Sequence, residues 1–285
     1  MRRIFVTGAT GNVGREVVVA LRNAGVRFRI GARKPGGVEA APNQDVVAFD
    51  FLNAATYRPA IADCNAIFLL RPPAISNTRD TLNRFIDVAR DANVDQIIFV
   101  SVAGAGSNPI VPHHAVERHL QEGPPGWTIL RPGFFAQNLE SAYLQDIRDD
   151  DRIYVPAGRR KVSFIDTRDL ADVAVRALLE PRLHSGQAYT LTGPEALSFA
   201  EVADLLSAEL GRPIAYSPAS ATGYMRHLVK AGLPVSQALI QTVLHCSLRF
   251  GQAEVIDPTL VRLLGRPPRT MAEYIRDRRE IWLVP

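Results

Sequence analysis

The sequence predicts an α/β protein built on a doubly wound parallel sheet, with a smaller, mainly helical lobe toward the C-terminus. Over the first half of the chain, short continuous apolar runs alternate with amphipathic stretches. Strands buried on both faces produce such runs, and helices between them imply parallel crossovers. A glycine-rich turn follows the first apolar run. The second half is less regular and dominated by helical spacing, which predicts the lobe.

Six apolar runs are predicted as strands of the sheet, and a seventh run late in the chain is predicted to extend it. Each run is short and bounded by turn residues, as expected for a buried strand. The predicted strands are residues 4–7, 26–31, 46–49, 66–70, 96–100, 127–130 and 188–191.

Helices are predicted where apolar residues recur at spacings of three and four. Val13, Val17 and Leu21 share one face of the first helix, and Gly25 suits its C-terminal cap. Leu170 and Val173 belong to the apolar face of the helix predicted to begin at Thr167. The predicted helices are residues 13–24, 77–93, 167–179, 199–210 and 271–281.

The two lobes are predicted to be interleaved in sequence, because no linker, repeat or low-complexity tract separates them. Residues 1–155 are assigned to the sheet core, which parts of 160–195 complete. Residues from about 196 to 285 are assigned to the smaller lobe and a closing helix. Its residues Tyr224, Met225, Leu228 and Phe250 are candidate pocket walls, and packing in the lobe core is the alternative role for each.

Composition argues against several function classes. A net charge of +4 over 285 residues is mild, and no nucleic-acid-binding module accompanies it, so no nucleic acid is expected as a partner. No run reaches the roughly 18 apolar residues of a membrane span. Cys64 and Cys246 are far apart and lack metal-ligand spacing. They are expected to be free thiols in a reducing compartment, the cytoplasm, with no metal site.

The turn Gly8-Ala9-Thr10-Gly11-Asn12-Val13-Gly14 predicts a dinucleotide site. Its three glycines lie between a strand and a helix, as such a site requires. The first allows a tight turn, the second lets the backbone approach a pyrophosphate, and the third permits close packing of helix on strand. The free N–H groups and positive dipole end of the helix then favour phosphate. The alternative is a structural turn that has lost its ligand.

The end of the second strand indicates which cofactor binds. Sites specific for NAD place Asp or Glu there, but this chain has Arg33 and Lys34 and no acidic residue. An arginine binds a 2′-phosphate through two hydrogen bonds and can stack on adenine. The cofactor is therefore predicted to be NADP(H), in preference to NAD(H). The alternative is a solvated pair on a surface loop.

With these motifs in place, the chain resembles the NmrA-like family, a group of atypical short-chain dehydrogenases/reductases. The family includes quinone, azo-dye and triphenylmethane reductases and also redox-sensing regulators. The resemblance implies a Rossmann core that binds NADP(H), and it extends over nearly the whole chain. Its carriers are residues 6–14, 32–35, 68–73, 99–101, 127–132, 164–171 and 265–270.

Carried over position by position, the resemblance implies a set of cofactor contacts. Asp50 and Phe51 would flank the adenine, and Ser101 and Val102 would lie near the nicotinamide. The full set of implied cofactor-binding residues is Gly8, Thr10, Gly11, Asn12, Val13, Gly14, Arg33, Lys34, Asp50, Phe51, Leu70, Arg71, Pro72, Ser101, Val102, His113, Pro132 and Phe134. For the substrate pocket, the resemblance implies Phe134, Phe135 and Asn138, with Gly133 beside them. Tyr224 of the smaller lobe is a further candidate for the same pocket.

The catalytic chemistry is less clear from the sequence. The Tyr-x-x-x-Lys pair of typical short-chain dehydrogenases is absent after Ser101. His113 and Glu117 share a helix face there, resembling the His-x-x-x-Glu arrangement of the dye- and quinone-reductase branch. With a pKa near neutrality, His113 could donate a proton or bind the nicotinamide amide. A structural or surface histidine is the alternative.

Three functions remain open on this basis. The first is an NADPH-dependent reductase of a conjugated, aromatic or quinonoid small molecule, since such acceptors take hydride without prior activation by an acid. The second is an NADP(H)-binding redox sensor without turnover. The third is a non-redox biosynthetic enzyme on the same fold. The pattern is compatible with a homodimer.

Overall fold

The computed structural model describes residues 3–38 and 41–283. The chain forms two compact units that alternate along the sequence. The first unit comprises Met1–Pro132 and Thr167–Leu191, and the second comprises Gly133–Asp166 and Thr192–Pro285. Residues 133–155, assigned above to the sheet core, pack within the second unit.

The strands and helices are as follows. The strands are β1 Ile4–Val6, β2 Phe28–Ala32, β3 Gln44–Ala48, β4 Ala66–Leu70, β5 Gln96–Val100, β6 Gly126–Pro132, β7 Phe134–Phe135, β8 Arg152–Ile153, β9 Val162–Ile165, β10 Gln187–Leu191, β11 Ala196–Leu197 and β12 Ala215–Tyr216. The helices are α1 Asn12–Asn23, α2 Tyr57–Ala60, α3 Arg84–Asp91, α4 Pro112–Gln121, α5 Leu144–Asp149, α6 Thr167–Leu179, α7 Pro181–His184, α8 Phe199–Leu210, α9 Ala221–Lys230, α10 Val235–Ser247, α11 Thr259–Leu264 and α12 Met271–Arg278.

The first unit contains a seven-stranded parallel sheet in the order β10-β6-β5-β4-β1-β2-β3. Its strands are the seven apolar runs predicted from the sequence. The chain runs outward from β1 through β2 to β3, then returns to the other side of β1 with β4. Ligands of doubly wound sheets bind at the carboxyl ends of the strands beside such a reversal. The segments after β1 and β4 are therefore the ones that position a site.

Aromatic packing fills one face of this sheet. Phe5 of β1 lies 5.1 Å from Phe49 between ring centroids, and Phe49 lies 5.0 Å from Phe85 of α3, both in edge-to-face geometry. Such pairs contribute about 0.5–1.5 kcal/mol each beyond the area that they bury. Elsewhere in the first unit, α1 packs against α6. The strand ends are thus held by a rigid core.

The helix predicted over residues 77–93 consists of two parts. A π-helical turn at Arg79–Asn83 precedes the regular helix α3, Arg84–Asp91. The closing helix α12 ends at Arg278 and continues as a 3₁₀ turn, Arg279–Ile281. Both departures are at helix ends, where local hydrogen bonding tightens or widens and sequence periodicity carries little information.

The second unit has its own apolar core around Phe199 and Trp282, both fully buried. Two capping boxes begin its helices: Ser198 with Glu201 at α8, and Thr270 with Glu273 at α12. Residues of the 133–155 segment join the same core: Ala136, Leu139, Tyr143, Ile147, Ile153 and Val155. This packing explains why the segment does not belong to the first unit.

Across residues 3–38 and 41–283, no helix is both long enough and apolar enough to cross a membrane. In the same part of the chain no group of His, Cys, Asp or Glu side chains could hold a metal ion. Cys64 is buried and Cys246 is partly buried, and both are free thiols.

Candidate cofactor and active site

The glycine turn between β1 and α1 is built by hydrogen bonds at the strand ends. Thr7 donates from its backbone N–H to the Phe68 carbonyl at 3.0 Å, and its hydroxyl oxygen accepts from Leu70 N–H at 2.8 Å. These bonds tie the end of β1 to the end of β4. Gly8 then adopts a φ of 68°, which L side chains rarely adopt, and turns the chain toward α1.

The three glycines of the turn have different surroundings. A Cβ on Gly14 would collide with the Gly8 carbonyl, and one on Gly8 would approach Leu70 Cδ2 to 2.7 Å. These two glycines therefore serve close packing. A Cβ on Gly11 would find only the Gly8 oxygen, at 3.5 Å. The space beside Gly11 is open, as the approach of a ligand to the backbone requires.

The N-terminus of α1 suits an anion. Its N-cap is Gly11, which has no side chain to cap the helix, and the first turn contains no acidic residue. Uncapped N–H groups and the helix dipole attract negative charge. The open glycine and the uncapped helix together fit the pyrophosphate of a dinucleotide.

The predicted adenine-end residues are in two environments. Arg33 and Lys34 are exposed directly after β2. Asp50 is half-buried and accepts from Leu52 N–H at 2.9 Å, so its carboxylate stabilises the turn after β3. Phe51 packs its ring 4.8 Å from that of Phe49 in the aromatic core. The side chain of Phe51 thus has a packing role, and contact of Asp50 or Phe51 with adenine stays a prediction.

Arg71, in the segment after β4, is engaged by the protein itself. Its Nη1 donates to the carbonyls of Pro72 at 3.2 Å and Ile75 at 2.5 Å, and its Nε donates to His113 Nε2 at 3.2 Å. Burial lowers the pKa of the Arg71 guanidinium from its usual value. The resemblance implied a place beside the ribose. The structure adds a contact with His113 that the sequence did not reveal.

His113, near the start of α4, is 9% exposed. Burial, with a smaller contribution from the Arg71 charge, lowers the pKa of His113 to about 3. The expectation of a pKa near neutrality was therefore wrong: the ring is neutral in the physiological range. Its Nδ1 is buried and has no hydrogen-bond partner among the described residues.

One turn further along α4, Glu117 forms a buried ion pair. It is 2% exposed and accepts from Arg131 Nη2 at 2.6 Å and from Arg131 Nε at 3.1 Å. Ser101, also 2% exposed, donates its hydroxyl proton to Glu117 Oε1 at 2.5 Å. A charge-assisted, two-pronged pair of this kind holds both partners in place. Ser101 therefore keeps only lone pairs for a ligand.

Sequence reasoning missed Arg131 as a member of this network, because local spacing connects it with no partner. A signal was nevertheless present. Arg131 interrupts the apolar strand β6, and a charge in such a strand needs a buried partner. Val102 lies just after the end of β5, and Pro132 is the last residue of β6. Ala103 N–H donates to the Pro132 carbonyl at 2.9 Å and so connects these two strand ends.

The predicted substrate-pocket residues all lie in the second unit. Phe134 is half-buried, with its ring 5.6 Å from Phe164 and 5.8 Å from His245. Phe135 and Asn138 are also half-buried. Tyr224 is 1% exposed, and burial raises the pKa of its phenol. The structure gives Tyr224 the core position that was its alternative role.

An apolar groove opens between α9 and α10 in the second unit. It has a volume of 380 Å³. Met225 and Phe250, two of the candidate walls, line it together with Leu239 and Val243. Helix α10 contains no Asp, Glu, Lys or Arg. Its volume lies within the range of small-molecule sites in proteins.

Beneath the groove, a hydrogen-bonded pair anchors α10. His245 Nδ1 lies 2.7 Å from the Gln241 carbonyl, so Nδ1 carries the proton and Nε2 accepts the hydroxyl proton of Tyr143. Burial lowers the pKa of His245 and raises that of Tyr143. Both groups therefore stay neutral and hold the helix.

Comparison with known proteins places this arrangement in a family. A family model described as NAD(P)H-binding matches residues 8–181. An NAD(P)H azoreductase from Xenophilus azovorans is 34% identical over 281 residues, covering 96% of both chains. Two solved structures each superpose with a TM-score of 0.85 at 24% identity, covering 96% of this chain and 99% of theirs. They are a triphenylmethane reductase from Citrobacter sp. and an NADPH-dependent quinone oxidoreductase from Escherichia coli. The chain belongs to this NAD(P)H-binding family.

Proposed function

We propose that this protein is an NADPH-dependent reductase that transfers hydride to a conjugated, aromatic or quinonoid small molecule. The observation that carries the proposal is the open glycine turn at the uncapped N-terminus of α1. In the same unit, Ser101 directly follows β5, two strands from β1 in the sheet, and His113 lies on α4. The azoreductase similar over nearly the whole chain supports the reaction type.

The first unit's residues would hold the cofactor in a defined orientation. Gly11 and the α1 N-terminus would bind the pyrophosphate, and Arg33 with Lys34 would bind a 2′-phosphate. The preference for NADP(H) over NAD(H) rests on those two exposed cations. When bound, the nicotinamide supplies the hydride.

The groups near the predicted nicotinamide end offer little acid catalysis. His113 has a pKa of about 3, so it is not an imidazolium at neutral pH. The Ser101 proton is committed to Glu117. A ketone needs an acid to polarise its carbonyl, whereas a quinone or a dye cation is already electrophilic. These residues therefore favour acceptors that take hydride first and obtain their proton from solvent.

The second unit supports an apolar acceptor. The groove between α9 and α10 is lined almost wholly by apolar atoms, including those of Met225, Leu239 and Phe250. Flat aromatic molecules gain most from such a surface, because their apolar area is large.

The test is consumption of NADPH by the purified protein with a naphthoquinone, an azo dye and a cationic triphenylmethane dye. Turnover with at least one acceptor is expected, and dependence on the acceptor excludes simple oxidation by oxygen. If none of the three classes is reduced while NADPH binds, the reductase proposal is wrong.

One observation favours a second candidate, a redox sensor without turnover. Ser101 donates its proton to Glu117, and His113 is neutral, so neither side chain supplies a proton for reduction of a substrate. Neither fact prevents the binding of NADP(H). A sensor would bind NADP⁺ and NADPH with clearly different affinity, which isothermal calorimetry measures, and would reduce none of the three acceptors. A homodimer stays a prediction, which light scattering in solution would test.

A further inference from the structure

The contact between Arg71 and His113 determines which ring nitrogen carries the proton. Arg71 Nε donates to His113 Nε2 at 3.2 Å. A guanidinium has donors only, so Nε2 must present its lone pair. A neutral imidazole then carries its single proton on Nδ1. Arg71 thus selects one of two tautomers that are otherwise close in energy.

The Nδ1–H group that results is buried and has no partner among the described residues. Its neighbours on the inner face of α4 cannot satisfy it. Glu117 uses its two oxygens for Ser101 and Arg131. The Phe99 ring, 6.0 Å away between centroids, offers no oxygen or nitrogen. A buried donor without an acceptor is unfavourable, and a bound ligand with an acceptor atom would satisfy it.

Arg71 is itself held firmly enough to act in this way. Its Nη1 donates to the carbonyls of Pro72 and Ile75 in the segment after β4. Because the guanidinium is planar, these two contacts of Nη1 restrict the direction of the Nε–H bond. Through these contacts, Nη1 and Nε of Arg71 donate to acceptors of the protein itself.

We propose that Arg71 is a positioning residue, which holds His113 as the Nδ1–H tautomer so that the ring donates a hydrogen bond to a carbonyl oxygen of the bound small molecule. The inference rests on the proposed function, since it assumes that a cofactor and an acceptor occupy the first unit's strand ends. The carbonyl oxygen has two sources, the carboxamide of the nicotinamide or a carbonyl of the acceptor.

Nuclear magnetic resonance of the protein labelled with ¹⁵N-histidine tests the tautomer directly. In the ligand-free wild type we expect a protonated Nδ1 and an unprotonated Nε2 for His113, assigned by loss of the signal in His113→Gln. In Arg71→Met the ring should shift toward the Nε2–H form. A wild-type ring already in the Nε2–H form, or an unchanged ring in Arg71→Met, would overturn the proposal.

Titration with NADP⁺ alone, and then with a quinone, distinguishes the two sources. A change in the His113 Nδ1 signal with NADP⁺ identifies the carboxamide, and a change only after the quinone identifies the acceptor. No change with either contradicts the proposal. If NADP⁺ changes the His113 Nδ1 signal but the protein reduces no acceptor, the reductase proposal is wrong and the positioning role of Arg71 is retained.

Arg71 also holds the segment after β4 in place. A second pair of variants therefore distinguishes its effect on the His113 tautomer from its effect on that segment. Asparagine places an amide donor near the position of Nδ1, whereas glutamine reaches only toward Nε2. If the carboxamide is the acceptor, Arg71→Met should weaken NADP⁺ binding about tenfold, the value of one buried hydrogen bond. Adding His113→Asn should recover most of that loss, and adding His113→Gln should not. Equal affinities for the two double variants would show that Arg71 acts only on the loop.

Discussion

The buried pair of Glu117 and Arg131 gives the sharpest stability prediction. Arg131→Met removes the cation but leaves Glu117, with 2% of its side chain exposed, without its partner. Breaking a buried ion pair from one side costs about 3–5 kcal/mol. Arg131 keeps 22% of its side chain exposed, so water replaces part of the interaction. We expect the free energy of unfolding to fall by about 3 kcal/mol.

Glu117→Gln should cost less, about 1–2 kcal/mol, because the amide oxygen can still accept from Ser101. In the double variant of Arg131→Met and Glu117→Gln, the free energy of unfolding should fall by at least about 1 kcal/mol less than the sum of the two single losses. The reason is that the double variant leaves neither member of the ion pair buried without its partner. Arg148→Met is the matched control. Arg148 pairs with the adjacent Asp149 on the surface at 2.8 Å, and no measurable change is expected.

The assay is urea denaturation followed by tryptophan fluorescence. The chain has two tryptophans, Trp127 in β6 of the first unit and Trp282 in the second. Trp127 reports on the unit that holds the pair, and Trp282 reports on the unit that holds the control Arg148. Losses that add within about 0.3 kcal/mol, or a loss in Arg131→Met no larger than that in Arg148→Met, would refute the reasoning.

Three further predictions follow from the cofactor site. Gly11→Val should fold, because its Cβ has room, but it should weaken NADPH binding at least about tenfold in a fluorescence titration. Gly14→Val should fail to fold, because its Cβ would collide with the Gly8 carbonyl. Full NADPH affinity in Gly11→Val would show that the turn does not bind the cofactor. Arg33→Ala with Lys34→Ala should weaken NADPH about tenfold or more and leave NADH nearly unchanged, and equal losses would contradict the NADP preference. The pKa of His113 is about 3 in the folded protein, against an ordinary value of 6.5 in the unfolded chain, so the folded state loses stability as pH falls from 6.5 toward 3. The melting temperature of His113→Asn should therefore depend less on pH in that window. An identical pH dependence in the wild type and the variant would contradict the buried, neutral ring.

Local patterns made the sheet, the glycine turn and the long helices predictable. The β1–glycine–α1 unit is encoded within the first two dozen residues, where strand, turn and helix signals are adjacent. The cations after β2 are equally local. Features of this kind depend on periodicity and on backbone conformation, which a single sequence displays.

Features that depend on distant partners were less accessible. Residues 133–155 joined the second unit because their apolar side chains pack with Phe199 and Trp282, more than forty positions away in sequence. The pKa of His113 depends on burial and on Arg71, which is 42 residues distant. Neither burial nor the choice of a long-range partner is visible in local spacing.

Hydride transfer from NADPH to an already electrophilic acceptor is the reaction proposed for this protein. Rapid mixing of the protein–NADPH complex with a naphthoquinone, an azo dye or a triphenylmethane dye, followed through the absorbance of the reduced nicotinamide, tests it most directly. We expect oxidation of one NADPH per subunit, dependent on the acceptor and greatly slowed in Gly11→Val. A complex that keeps its NADPH reduced in the presence of all three acceptors would contradict it.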